Sequence, residues 1–266
     1  MVNLSRVYKV LIPFKIGNPK TRLDYENGSD GFLYLDERRA LALRFLVDVY
    51  STWIQAIQDQ GDVVVGLAGN APDEALRELR RLGVDTVQMP FDELNRSMKY
   101  FGHEAAKNAY ERYVVCGSDV PLIMTEDIEL LQRTGGKYTR TSPGVVLFEG
   151  NLGGTTCYLI TPPTAYEIEL SIEGKTNLNH QLNRFRELSI PYDLLNTRNL
   201  FLDIDYPEDL IRLLLIFSSD ASIYSGRGTY EFLMSLSQEL MRDQGERGDR
   251  FRNLYKKIHG ENDGNI

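Results

Sequence analysis

The sequence predicts an α/β fold: a mostly parallel, mixed sheet with helices on both faces, followed by a C-terminal helical extension. Three observations predict it. Short apolar runs rich in β-branched residues alternate with longer stretches of helical periodicity, the order expected of strands joined by crossover helices. Those short runs are apolar on both alternating faces, as strands covered on both sides must be. After Phe217 the pattern turns wholly helical.

In chain order, residues 7–12 read as a first strand, and a long helix follows with Asp36 as N-cap, running through Leu41, Phe45, Val49 and Trp53. Residues 63–68 read as a strand, 73–82 as a helix, 86–89 as a strand and 92–109 as a helix. Residues 113–117 form another buried strand, and Thr125 is placed to cap the helix behind it. Residues 145–148 and 157–160 look like strands joined by a glycine-bearing loop, and 176–188 look helical. Residues 200–204 run extended into Asp205, after which Pro207 opens a helix as a first-turn proline should. Residues 229–241 and 251–258 carry apolar stripes (Leu233, Leu236 and Leu240; Phe251, Leu254, Tyr255 and Ile258) separated by a charged link. The expected organisation is a domain over residues 1–217 and a helical extension over 218–266. The extension either docks back on the chain or builds a homodimer contact.

With 266 residues, 42% of them hydrophobic, the chain can bury one large core. No uninterrupted apolar stretch reaches the roughly 20 residues of a membrane span, and residues 1–9 lack a signal-peptide core, which places the chain in the cytoplasm. The net charge of −8 argues against a nucleic-acid partner but not against a small anion met by local cations. Cys116 and Cys157 are too few for a disulfide framework and lack metal-ligand spacing, so they read as buried thiols.

Four segments carry candidate chemistry. Pro13-Phe14-Lys15-Ile16-Gly17-Asn18-Pro19-Lys20-Thr21-Arg22-Leu23 follows the first strand, where open α/β sheets bind ligands. Its glycine and cations suit a polyphosphate, although it lacks the second glycine of a Walker A loop; a solvated basic turn is the alternative. Gly117-Ser118-Asp119-Val120-Pro121-Leu122 sets a carboxylate at the end of a buried strand, where it wants a cation or a turn to cap. Leu202-Asp203-Ile204-Asp205-Tyr206-Pro207-Glu208-Asp209-Leu210 puts Asp203 and Asp205 on one face under period two, as Mg²⁺ ligands or, for Asp205, as a helix cap. Gly153-Gly154-Thr155-Thr156, then Gly174-Lys175-Thr176-Asn177 and His180, suit either close backbone approach to a ligand or a plain hairpin.

As an ordered set, these segments, with Glu37-Arg38-Arg39-Ala40-Leu41-Ala42 and Asp92-Glu93-Leu94-Asn95, resemble the 2-phospho-L-lactate guanylyltransferases of deazaflavin coenzyme F-420 biosynthesis. That family has bacterial relatives that use phosphoenolpyruvate. The resemblance spans residues 7–214. It implies a nucleotide-diphospho-sugar-transferase-like fold, GTP as donor, Mg²⁺ as cofactor, a small phosphorylated acid as acceptor and pyrophosphate as leaving group. It also implies that Lys15, Lys20 and Arg22 face the triphosphate and that Asp119 and Asp205 hold the metal. Asn95, Thr155, Gly174 and Asn177 become the substrate-binding positions. The family usually has serine where Asn177 stands, asparagine where Thr156 stands and threonine where Tyr206 stands. A related nucleotidyltransferase with another phosphorylated acceptor, and a non-catalytic nucleotide-binding protein, remain the alternatives.

Overall fold

A computed structural model describes residues 6–15, 17–26, 30–69, 73–165 and 178–263. The chain divides into two compact units, one made of Met1–Lys15 with Val49–Asp203 and the other of Ile16–Asp48 with Ile204–Ile266. This division differs from a single boundary at 217/218.

The first unit is built on strands β1 (Tyr8–Phe14), β2 (Gly61–Leu67), β3 (Thr86–Gln88), β4 (Arg112–Cys116), β5 (Gly144–Glu149), β6 (Thr155–Thr161) and β7 (Tyr192–Leu195). They form one seven-stranded sheet in the order β3-β2-β1-β4-β6-β5-β7. Pairing is parallel except on either side of β6, which runs antiparallel to β4 and β5. The mixed sheet therefore comes from the β5–β6 hairpin, whose short loop leaves no room for a crossover helix. Gly153 lies in that loop at φ +76°, which favours glycine. The hairpin reading thus accounts for the glycine signal there.

Period two decides which helix meets which face. Leu11, Tyr113, Val115, Val145, Leu147, Tyr158 and Ile160 pack with Met98, Phe101 and Ala105 of α3 (Leu94–Lys107) and Leu182 and Phe185 of α5 (Leu178–Glu187). The opposite face includes Leu159, whose side chain lies against Gly135 of α4 (Thr125–Gly135). On the same unit, the phenol of Tyr50 accepts from the Asp85 N–H at 3.2 Å, just after α2 (Asp73–Arg81). Cys116 and Cys157 face each other in register, both buried, and burial pushes the Cys157 thiol well up. That keeps it protonated and unreactive.

The long helix α1 (Leu35–Ile57) contributes to both units. By length and composition it could cross a bilayer, but Leu41, Phe45, Val49 and Trp53 are fully buried within the protein. Asp36 is not its cap. Its side chain is 96% exposed, whereas Glu37 Oε2 accepts from the Tyr34 N–H at 2.8 Å. Thr125 likewise opens α4 without capping it, because Asp127 Oδ2 accepts from the Met124 N–H at 2.9 Å.

After α6 (Arg198–Phe201), residues 202–205 belong to no strand, so the strand expected to carry Asp203 and Asp205 on one face does not form. The second unit then builds α7 (Pro207–Ser219), the short α8 (Ala221–Tyr224), α9 (Gly228–Arg242) and α10 (Glu246–Asp263). Helix α10 packs on α7 and α9. Leu233, Leu236, Leu240, Phe251 and Ile258 are buried, and Leu254 and Tyr255 are half-buried, so much of both apolar stripes packs within the chain. Asp48 caps α9 by accepting from the N–H groups of Gly228 (3.2 Å) and Thr229 (2.9 Å). Arg247 donates to the Phe32 carbonyl at 2.8 Å and pairs with Glu37 at 2.5 Å, while the Phe251 ring meets Phe32 edge to face.

Candidate functional site

In the second unit, the loop after β1 is held by two consecutive arginines of α1. Arg38, 2% exposed, donates to the Asn18 side chain (2.7 Å) and the Pro19 carbonyl (2.8 Å) and pairs with buried Asp24 at 2.8 Å. Arg39 donates to the Gly17 carbonyl at 2.9 Å. A buried ion pair is costly to desolvate; the Nη1 donations to the Asn18 side chain and the Pro19 carbonyl offset part of that cost, while Nε lies buried without a hydrogen-bond partner among the described residues. So anchored, the loop turns at Lys20, whose backbone is left-handed (φ 52°, ψ 48°), an uncommon conformation for a residue with a side chain.

That turn brings together three expected residues. Lys20 Nζ lies 3.2 Å from Asp205 Oδ1, and Arg22 Nη1 lies 3.0 Å from Asp205 Oδ2. The Arg22 guanidinium also sits 4.4 Å above the Tyr206 ring. The capping role open to Asp205 belongs instead to Asp209, whose Oδ2 accepts from the N–H groups of Asp205 (3.2 Å) and Tyr206 (2.9 Å). Burial raises the Asp209 carboxyl above its ordinary range despite those two donors. The sequence reading missed Asp209, Arg38 and Arg39 as groups that shape the site. The acid at the third position of the helix that Pro207 opens was the available signal for the first.

In the first unit, the expected residues follow one end of the central strands. Exposed Lys15 follows the C-terminal end of β1, Asp119 follows that of β4, and Thr155 opens antiparallel β6 beside it. Asn95 lies in the first turn of α3, which follows the end of β3. A β-bulge between Phe148 and Glu149 offsets the hairpin next to Thr155. Asp119 folds back over Gly117: a Cβ there would lie 2.7 Å from Asp119 Oδ1, so only glycine leaves this carboxylate its place. The Gly117 N–H donates to the Thr156 carbonyl at 2.8 Å, which fixes the turn against β6. Thr155 Oγ1 reaches Gln181 of α5 at 3.5 Å. Gly174 and Asn177 lie outside the described residues. His103 and His259 are exposed.

Magnesium takes hard oxygen ligands, often one or two carboxylates plus phosphates and water. Asp119 and Asp205 supply that donor class. Among the described residues no group of three or more His, Cys, Asp or Glu could hold a metal ion.

A mixed sheet of this order places the chain among folds of the nucleotide-diphospho-sugar-transferase-like kind. A nucleotide-diphospho-sugar transferase structure from Desulfovibrio desulfuricans G20 superposes with a TM-score of 0.71 at 18% identity, covering 90% of this chain and 97% of that one. Residues 8–253 match the family described as "Guanylyl transferase CofC like", and the chain belongs to it. A 2-phospho-L-lactate guanylyltransferase from Archaeoglobus fulgidus is 27% identical over 86% of this chain and 90% of its own length. A phosphoenolpyruvate guanylyltransferase from Thermobaculum terrenum is 28% identical over 46% of this chain and 50% of its own.

Proposed function

We propose that this protein transfers GMP from GTP to a small phosphorylated acid, 2-phospho-L-lactate or phosphoenolpyruvate, releasing pyrophosphate in coenzyme F-420 biosynthesis. The observation that carries this reading is the meeting of Lys20 and Arg22 on Asp205, within a chain whose family is guanylyl transferase. A phosphate monoester is largely dianionic at neutral pH, so an acceptor phosphate oxygen can attack the α-phosphorus without a protein base. The new bond joins that oxygen to the α-phosphorus, and the bond from the α-phosphorus to the bridging oxygen of the β-phosphate breaks. Both electrons of the broken bond leave with pyrophosphate.

Positioning and charge neutralisation then account for catalysis. Lys15, Lys20 and Arg22 bind the triphosphate and steady the departing pyrophosphate. Asp119 and Asp205 hold Mg²⁺, which supplies neutralisation of phosphate charge when bound. Asn95, Thr155, Gly174 and Asn177 orient the substrates. The test is a pyrophosphate-release assay with GTP, ATP and CTP, each against both acids and a sugar phosphate. Release from GTP with one of the two acids supports the reading. Release only with the sugar phosphate, or none with any pair, overturns it.

A further inference from the structure

The first unit contains a cavity of about 420 Å³ between α3 and the face of β1–β3, near the start of β1 and away from the Asp119 end of β4. Lys9 lines it at a strand position that period two assigns to the same face as core residue Leu11. Its ammonium is half-buried, and among the described residues it meets no hydrogen-bond acceptor. Its close neighbour is the Tyr110 ring, 5.6 Å away, over which Arg6 also lies at 5.7 Å. The nearby acid Asp62 is engaged: the Tyr110 hydroxyl donates to its Oδ2. Burial lowers the Lys9 amine from its ordinary range, with Asp62 and Asp85 opposing and Arg6 assisting the shift. A half-buried cation lacking an acceptor is unfavourable unless something completes it.

We propose that this cavity is a second binding site, for a small monocarboxylate with a flat apolar body. The carboxylate meets Lys9, with Arg6 beside it, and the body lies along Val87, Phe101 and Ala105. Charge selects the class. Arg6 and Lys9 share the lining with Asp62 and with Glu104, which pairs with Lys107 at 3.6 Å, so one negative charge completes Lys9 while the second charge of a phosphate dianion meets repulsion from the Asp62 carboxylate. No step of nucleotidyl transfer is assigned to these residues.

Titration of the isotope-labelled full chain by two-dimensional NMR tests the site, with benzoate as probe, benzamide as its neutral isostere and inorganic phosphate as the alternative anion. Saturable shifts of the Val87, Gln88 and Ala105 amides are expected with benzoate and not with the other two. Lys9→Met should weaken benzoate by about tenfold or more, the usual worth of one charge-assisted contact. Lys9→Gln, which keeps a donor but no charge, should weaken it similarly and separates loss of charge from loss of fold. Absence of saturable shifts there, equal binding by the folded variants, or tighter phosphate binding overturns the proposal.

Discussion

Asp205 carries two assignments that compete for the same oxygens. Its carboxylate engages Lys20 and Arg22, yet the proposed reaction needs those cations on the triphosphate and the carboxylate on Mg²⁺. In the proposed reaction, an incoming triphosphate, with several charges to the carboxylate's one, would take the cations and leave Asp205 available to hold a metal. This exchange predicts a split response in Asp205→Asn. Metal-free GTP should bind at least as tightly as to wild type, because Lys20 and Arg22 are no longer neutralised. Turnover with Mg²⁺ should fall by about two orders of magnitude or more, the scale seen when charge stabilisation is removed from an active site. Calorimetric GTP titration without metal, beside steady-state rates with it, reads both. Weaker metal-free binding together with unchanged turnover would contradict the account.

Three helices here begin in the same way, and that habit limits how far their starts could be read from sequence. Before α1, α4 and α7, the boundary N–H groups of Tyr34, Met124 and Tyr206 are accepted by Glu37, Asp127 and Asp209. Residue-type preference points instead to Asp36 and Thr125, because it favours a cap at the boundary while the acceptor lies further into the first turn. Asp209→Ala should therefore cost about 1–2 kcal/mol in urea unfolding, the usual worth of a cap, whereas Glu208→Ala should cost little. On β1, half-buried Lys9 yields a pH prediction. Its folded amine titrates below its unfolded value of about 10.4, so between the two the unfolded chain holds the extra proton. Wild-type stability should rise with pH through that window as the burial penalty disappears, and Lys9→Met should lack this rise. Parallel pH profiles in denaturant would refute the assigned burial.

At the scale of the molecule, the sheet was legible because its strands and crossover helices follow local periods of 2 and 3.6 residues. The place of β6 between β4 and β5, and the second unit, were not, because they depend on pairings between distant segments. The chain returns on itself when Arg247 meets Glu37 and when Thr229 meets Asp48, and no local pattern announces either contact. The site divides along the same line. Lys20, Arg22 and Asp119 could be picked out by residue type at strand ends, whereas the support from Arg38 and Arg39 emerged only with the loop in place. Group transfer from the α-phosphorus is the central claim, and isotope tracing addresses it directly. The acceptor acid, with its phosphate oxygens labelled with ¹⁸O, is incubated with GTP and Mg²⁺, and the products are followed by ³¹P NMR and mass spectrometry. The account predicts a GMP–acid diphosphate carrying all of the label, with ¹⁸O in the new bridge and unlabelled pyrophosphate. Label in the pyrophosphate, or consumption of GTP without a labelled GMP adduct, would contradict it.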